Sequence, residues 1–174
     1  DGENWTEHVC KINEDKKHEI HVIGVTRNIE DRKKTESYIE YINMHDQLTG
    51  MLNKTAFRVF ELEHNANVDQ KGYAILFVDM DNFGVVNDAV GHREGDNIII
   101  SIAEKIKKSI KGKGTVYRYE GDEFVIFVPN QNQSYLETLS SDLVRYDTTE
   151  ALVNDVGYIL IASIGIVTSK KKYT

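Results

Sequence analysis

This sequence has few residues that cross-link or stiffen a chain. Its 174 residues include one cysteine, Cys10, and one proline, Pro129. A single cysteine excludes an intramolecular disulfide and favours a reducing compartment. Positive charge is also scarce: 21 Lys and Arg stand against 28 Asp and Glu, which gives a net charge of −7. That balance argues against general binding to nucleic acids or to anionic membranes.

Long apolar runs are missing as well. The longest, Tyr158 to Val167, is interrupted by Ser163 and Gly165, and it is shorter than the ~20 residues of a membrane span. No signal-peptide pattern opens the chain. Hydrophobic residues still make up 40% of the sequence, enough for a core. We therefore expect one cytoplasmic domain with an appendage and no direct membrane contact, as a piece of a longer protein.

Two apolar segments flank an acidic turn. Thr115 to Tyr117 precede, and Val125 to Val128 follow, the sequence Arg-Tyr-Glu-Gly-Asp-Glu-Phe of residues 118–124. β-branched and aromatic residues on both sides predict a β-hairpin with adjacent acids at its tip. Neighbouring carboxylates repel each other, so folding alone does not explain the pair, whereas a hard cation such as Mg²⁺ would. A solvated acidic turn is the alternative.

A second acidic group follows an apolar segment upstream. The stretch from Tyr73 to Asp79 is too apolar to alternate, which predicts a buried strand ending in Asp79-Met80-Asp81. Polar residues from Asn82 to His92 come next. A carboxylate at the end of a buried strand is an unusual arrangement, and it marks this segment as a candidate site.

In order and spacing, these segments resemble the GGDEF domain of diguanylate cyclases. The similarity lies in four segments: Asp46 to Asn53, Asp79 to Asp96, Arg118 to Phe124, and Ser163 to Ile166. The uneven alternation of strands and helices predicts an α+β sandwich, a central sheet with helices packed on it. The resemblance implies, more specifically, a palm-like, ferredoxin-related fold with a mostly antiparallel sheet.

The resemblance also implies a magnesium-dependent enzyme, with Mn²⁺ as an alternative ion, that condenses two GTP into cyclic di-GMP. It implies that Asp79, the Met80 carbonyl and Asp122 bind the metal, with Glu123 as a second carboxylate facing it. Asp122 would also help to deprotonate the attacking 3′-hydroxyl. Because each domain of this bacterial family holds one GTP, catalysis would require a homodimer.

Further positions are candidates for binding the nucleotide. Asn87 and Asp96 match the family positions that read guanine, and an amide and a carboxylate suit the edge of that base. Arg118 and Gly121 are candidates for contacts with the phosphates. For Arg118, an ion pair with a nearby acid is the alternative.

Some positions depart from the family pattern. Glu120 replaces the first glycine of the signature, and Gly84 replaces a phosphate-binding lysine. Lys111 and Gly114 stand where the family has its inhibitory product site, so feedback through that site is not expected. These departures support an alternative function, a degenerate domain that binds GTP or dimerises as a regulatory module. A device that only dimerises an adjacent output domain is a third hypothesis.

The domain boundaries follow from these segments. Residues 1–29 resemble the C-terminal hairpin of a PAS domain, which implies an upstream sensor in the same chain; an ordinary N-terminal extension is the alternative. Residues 30–45 predict a linker helix. This helix either couples the upstream sensor to the output domain through dimer packing, or it is only a linker. Residues 46–174 would be the GGDEF domain without its C-terminal helix.

Within that domain, three helices are predicted. One spans Lys54 to Asn65 with Asn53 as its N-cap, one starts at Gly95-Asp96, and one runs from a Ser134 cap to about Tyr146. Three polar residues near the site have structural interpretations: Asp81 and Asp88 as turn-forming or ion-pairing residues, and His92 as a hydrogen-bonded turn residue.

Overall fold

The computed structural model describes residues 5–14, 20–66, 72–129, 132–147 and 159–169. The chain divides into two compact units, residues 1–42 and 43–174. None of the helices in the described ranges is long and apolar enough to cross a membrane.

The first unit contains a two-stranded antiparallel sheet of β1 (Thr6–Glu14) and β2 (Ile20–Asn28). Helix α1 follows at Glu30–Met44, so the predicted hairpin and the predicted helix are both confirmed as elements. The side chain of Arg32 on α1 pairs with Glu7 on β1 at 3.2 Å. Most apolar side chains of this hairpin are exposed, because no further strand pairs with it among the described residues.

The second unit is a six-stranded sheet with helices on its faces. Its elements are β3 (Leu52–Asn53), α2 (Lys54–Ala66), β4 (Tyr73–Met80), α3 (Phe83–Val90), α4 (His92–Ile110), β5 (Thr115–Glu120), β6 (Glu123–Pro129), α5 (Gln133–Val144), β7 (Arg145–Asp147) and β8 (Ile159–Ser169). The strand order is β3-β5-β6-β4-β8-β7. Among the described strands only β3 and β5 pair in parallel, which confirms the predicted α+β sandwich with a mostly antiparallel sheet.

The larger core lies between the sheet and helices α3, α4 and α5. The apolar stripe of α4 has the predicted three- and four-residue spacing, and it packs on side chains from β4, β6 and β8. On the opposite face, Phe57 of α2 packs in an aromatic cluster with Tyr117, Phe60 and Phe127. The sheet is therefore held from both sides at its centre.

One prediction about β4 is wrong. Instead of being buried throughout, the strand alternates, with Leu76 and Val78 buried while Phe77 is 46% exposed and Asp79 is exposed. Even-numbered side chains enter the larger core, whereas odd-numbered ones face the side that carries α2. Asp79 therefore reaches solvent although its strand is central in the sheet.

Some helix ends also differ from the predictions. Asn53 caps α2 as predicted, since its Oδ1 accepts from the backbone N–H of Ala56 at 3.0 Å. The cap of α5 is Asn132, not Ser134, because the extended backbone of Asn132 lets its side chain accept from Tyr135 N–H at 2.9 Å. Helix α5 ends at Val144, because residues 145–147 pair with β8 as β7. Helix α4 begins three residues earlier than predicted, at His92.

Candidate functional site

The acidic hairpin is formed by β5 and β6, as the sequence predicts. Gly121 and Asp122 lie in its turn, with Glu120 and Glu123 opposite each other. A register irregularity between Arg118 and Glu120 adds local twist. Gly121 has φ +52°, in the left-handed region, where a side chain is strained. The glycine is therefore required by the turn itself.

Three predicted carboxylates lie in this turn or next to it. Asp79 at the end of β4 is the register partner of Glu123 at the start of β6. Burial raises the pKa of Asp122, and the negative charge of Asp79 raises it further, against the opposing effects of a backbone hydrogen bond and of Arg118. Asp122 directly precedes Glu123, so the β4–β6 register also places it near the end of β4. The sheet register therefore brings together acids that are more than forty residues apart in sequence.

The donor set suits Mg²⁺ in part. Within the described ranges, no group of three His, Cys, Asp or Glu side chains converges tightly enough to hold a metal ion. Magnesium, however, is often bound by one or two carboxylates together with substrate phosphates and water. Asp79 and Asp122 provide two such carboxylates, and the exposed Glu123 lies opposite Asp79. The side chain of Met80 is buried in the core, so only its backbone could contribute.

Arg118 takes part in an internal network. Its Nη1 donates to Asp46 Oδ1 at 2.9 Å, while Nε and Nη2 donate to the carbonyl of Gly121 at 2.9 and 2.7 Å. The ion pair is largely shielded from solvent. These contacts tie the hairpin turn to the loop before β3, in agreement with the ion-pair alternative for Arg118. Its contact with phosphate stays a prediction.

Asp46 is fixed by more than this arginine. Its Oδ1 also accepts from the backbone N–H and the hydroxyl of Thr49, at 2.8 and 2.7 Å. Burial on its own would raise the pKa of Asp46, but the hydrogen bonds from Thr49 and Arg118 outweigh it and lower that pKa. The segment from Asp46 to Asn53 thus begins with a hydrogen-bonded turn, and this turn is linked to the hairpin through Arg118.

The candidate guanine-binding residues lie on α3 and α4. Asn87 packs against Gly95, the residue before Asp96, so closely that a Cβ on that glycine would lie 1.9 Å from Asn87 Oδ1. The same Oδ1 is buried without a hydrogen-bond partner. Asn87 Nδ2 lies 3.4 Å from Nδ1 of His92, the first residue of α4. The structure therefore packs Asn87 against Gly95, the residue before Asp96, and Asp96 itself is exposed.

The remaining polar residues of this region have simpler surroundings. Asp81 Oδ1 accepts from the hydroxyl of Ser163 on β8 at 2.7 Å, which supports its structural interpretation. Asp88 is exposed on α3. Gly84, also on α3, has open space where a side chain would project.

One residue that contacts the signature segment, Lys54, is not among the predicted site residues. Nζ of Lys54, at the start of α2, lies 2.6 Å from Glu120 Oε2 and 4.3 Å from the centre of the Tyr119 ring. The hydrogen bond with Lys54 lowers the pKa of Glu120, and it raises the pKa of Lys54. The two residues are 66 positions apart, so no local pattern could have indicated this contact.

Comparison with known proteins gives consistent results. Residues 43–174 match the family described as "Diguanylate cyclase, GGDEF domain". A bifunctional diguanylate cyclase/cyclic di-GMP phosphodiesterase of Pseudomonas aeruginosa, MucR, is 34% identical over 125 residues, covering 71% of this chain and 18% of that protein. The cyclic di-GMP phosphodiesterase NbdA of the same organism is 30% identical over 124 residues, covering 70% of this chain and 16% of that protein. This chain thus spans less than a fifth of either relative.

A solved structure supports the fold. The coiled coil and GGDEF domain of DgcB from Caulobacter crescentus, in complex with c-di-GMP, superimposes with a TM-score of 0.70. The two chains are 21% identical, and the match covers 84% of this chain and 80% of that one. This likeness confirms the predicted palm-like architecture.

Proposed function

The chain belongs to the GGDEF family of diguanylate cyclase domains, and we propose that it condenses two GTP into cyclic di-GMP with Mg²⁺. The observation that supports this proposal is the β4–β6 register, which places Asp79 opposite Glu123 and so close to the hairpin turn that carries Asp122. Neighbouring carboxylates repel each other at a cost to the fold, and they are characteristic of sites that bind cations or move protons.

Each group then has a role. Asp79, Asp122 and the Met80 carbonyl would hold the ion, with Glu123 facing it. When bound with GTP, Mg²⁺ neutralises developing phosphoryl charge and favours ionisation of a bound hydroxyl. Asp122 would accept the proton of the 3′-hydroxyl.

The nucleotide would lie against α3 and α4. Asn87 and Asp96 would hydrogen-bond the guanine, since an amide and a carboxylate suit the edge of that base. Gly121 would let the turn approach the phosphates closely, while Arg118 stabilises the turn by donating two hydrogen bonds to the Gly121 carbonyl. Arg118 would thus act on the phosphates mainly through the turn.

The reaction joins two GTP molecules, so the proposal includes a homodimer with one GTP in each domain. It also includes an upstream sensor, of which β1 and β2 would be the C-terminal hairpin, and a cytoplasmic location. The assignment of residues 1–29 to such a sensor and of residues 46–174 to the catalytic domain belongs to the same proposal.

The direct test is incubation with GTP and Mg²⁺, followed by mass spectrometry for cyclic di-GMP. We expect product from the wild type and none from an Asp122→Ala variant. The Glu61→Gln variant, which removes an exposed carboxylate on α2, is the control and should match the wild type. Equal product from the Asp122→Ala variant would contradict the assignment of this carboxylate.

A second function has its own support. Gly84 leaves empty the position of a phosphate-binding lysine, and Glu120 adds a carboxylate to the signature. The chain also matches part of a relative named only as a phosphodiesterase. If calorimetry shows GTP binding while no product forms, the domain is a GTP-responsive regulatory module. Without binding, only a dimerising role is left.

A further inference from the structure

Lys54 has an unusual position for a cation. It is the first residue of α2, where the partial positive charge of the helix N-terminus disfavours another positive charge. Its Nζ lies 4.3 Å from the centre of the Tyr119 ring and 2.6 Å from Glu120 Oε2. The Tyr119 ring packs edge-on against Phe57 of the same helix. The aromatic cluster and one carboxylate therefore hold Lys54 in place.

The Glu120 side chain has an alternative orientation, toward Glu123 and Asp79. It is the register partner of Glu123, which is in turn the partner of Asp79. Its side chain is 70% exposed, so sterics alone do not hold it. A carboxylate released here would lie beside the acids that are proposed to receive a metal-bound triphosphate, and like charges at such distances repel.

We propose that Lys54 is a positioning residue that holds the Glu120 carboxylate over the N-terminus of α2, away from the nucleotide site. This inference rests on the proposed function, because it assigns to Lys54 the control of nucleotide affinity at the same site. It explains how the chain accommodates a glutamate where the family has glycine. Glu120 is exposed and Lys54 is half-buried, so their ion pair contributes little to stability. The effect of the pair is on where one negative charge lies.

Calorimetric titration of the full chain with Mg²⁺ and 3′-deoxy-GTP tests the proposal, because this analogue cannot form the new phosphodiester bond. The Lys54→Ala variant should bind about three- to tenfold more weakly than the wild type. Lys54→Arg, which keeps the charge, should bind like the wild type. In a Glu120→Gly background, Lys54→Ala should have no further effect, because no carboxylate is left to position.

The Arg58→Ala variant is a matched control, since it removes one exposed positive charge about one turn further along α2. It should bind like the wild type, and all variants should melt within about 2 °C of it. Unchanged affinity in Lys54→Ala would overturn the proposal, as would a wild type that does not bind the analogue. An equal loss in the Glu120→Gly background would also overturn it, because Lys54 would then contact the nucleotide directly.

Parallel assays with GTP separate this inference from the cyclase proposal. If the effect of Lys54→Ala on analogue affinity depends on Glu120 but no cyclic di-GMP forms, the cyclase proposal is contradicted and the positioning role of Lys54 is supported. Product formation without coupling would contradict the positioning role alone.

Discussion

The ionised carboxylate of Asp122 lowers the stability of the folded chain. Burial and the charge of Asp79 both raise its pKa, so the ionised carboxylate is less stable in the folded chain than in the unfolded one. Such a group contributes stability below its ordinary pKa and loses that contribution as the pH rises through its folded pKa. At neutral pH, therefore, its charge weakens the fold.

The Asp122→Asn variant should accordingly be more stable at pH 7 and inactive. We expect a gain of about 0.5 kcal/mol, or about 1–2 °C in melting temperature, since solvent screens part of the repulsion. The gain should shrink as the pH falls through the folded pKa and disappear well below the ordinary aspartate pKa of about 3.9, where the acid is neutral in both states. Thermal melts across this pH range would measure it. A variant less stable than the wild type at pH 7 would show that this carboxylate is not under repulsion.

Asp46 represents the opposite case. Its hydrogen bonds with Thr49 and Arg118 lower its pKa, so it stabilises the fold when ionised. The Asp46→Asn variant should lose about 1–2 kcal/mol of unfolding free energy at pH 7. A lowered folded pKa means that this contribution is present above the ordinary pKa and is lost as the pH falls through the folded pKa.

The difference between wild type and Asp46→Asn should therefore narrow below about pH 4. Urea unfolding at pH 7 and at lower pH values would measure both free energies. Glu61→Gln, which removes an exposed carboxylate, controls for the change in net charge and should be nearly neutral in effect. A loss that is independent of pH would mean that Asp46 acts by packing rather than by charge.

At the scale of elements, the approach of α3 to α4 depends on a residue without a side chain. A Cβ at Gly95 would lie 1.9 Å from Asn87 Oδ1 and 2.8 Å from its Cγ, so Asn87 would have to rotate. Alanine is otherwise favoured over glycine inside a helix by roughly 0.5–1 kcal/mol. The two effects act on different properties, because rotation of Asn87 would alter the proposed guanine contact, whereas helix propensity acts on stability.

The Gly95→Ala variant should thus bind GTP about tenfold more weakly, the loss of about one good hydrogen bond, while its melting temperature falls little. Gly84→Ala has open space and should be neutral or slightly stabilising. In an Asn87→Ala background, Gly95→Ala should cause no further loss of affinity. A tenfold loss that persists in that background would show that Gly95 affects the nucleotide without Asn87.

Elements with a local signal were predictable from sequence. The acidic hairpin follows from two apolar segments and a Gly-Asp turn, and α4 from the spacing of its isoleucines. The short strands β3 and β7 were missed, because two or three residues form a strand only through their partners. The cap of α5 was misplaced by two residues, since asparagine and serine are both good caps and only the backbone decides between them.

The candidate site also has a part that is predictable from sequence and a part that only the fold determines. Its acids were identified by resemblance, and the β4–β6 register then brings Asp79 opposite Glu123. The pairs Asp46–Arg118 and Lys54–Glu120 join residues 72 and 66 positions apart. Because the fold alone determines such contacts, the surroundings of the signature could not be read from the chain.

The proposed reaction between two GTP molecules would make activity depend on the association of two chains. The described part of each chain contains one set of the acids Asp79, Asp122 and Glu123 beside one pair of candidate guanine-binding residues. If one domain holds one GTP, the specific activity must rise with protein concentration and level off once dimers predominate. A net charge of −7 per chain opposes association at low ionic strength.

Moderate salt should therefore shift the increase in specific activity toward lower protein concentration, because salt screens the repulsion between the chains. Measuring the rate of cyclic di-GMP formation over a hundredfold range of protein concentration, at low and at moderate salt, tests this expectation, and sedimentation on the same samples reports the oligomer. The Asp122→Ala variant should follow the same association curve without activity. A specific activity that is constant down to concentrations where only monomer sediments would contradict the requirement for two chains, because both GTP molecules would then bind to one domain.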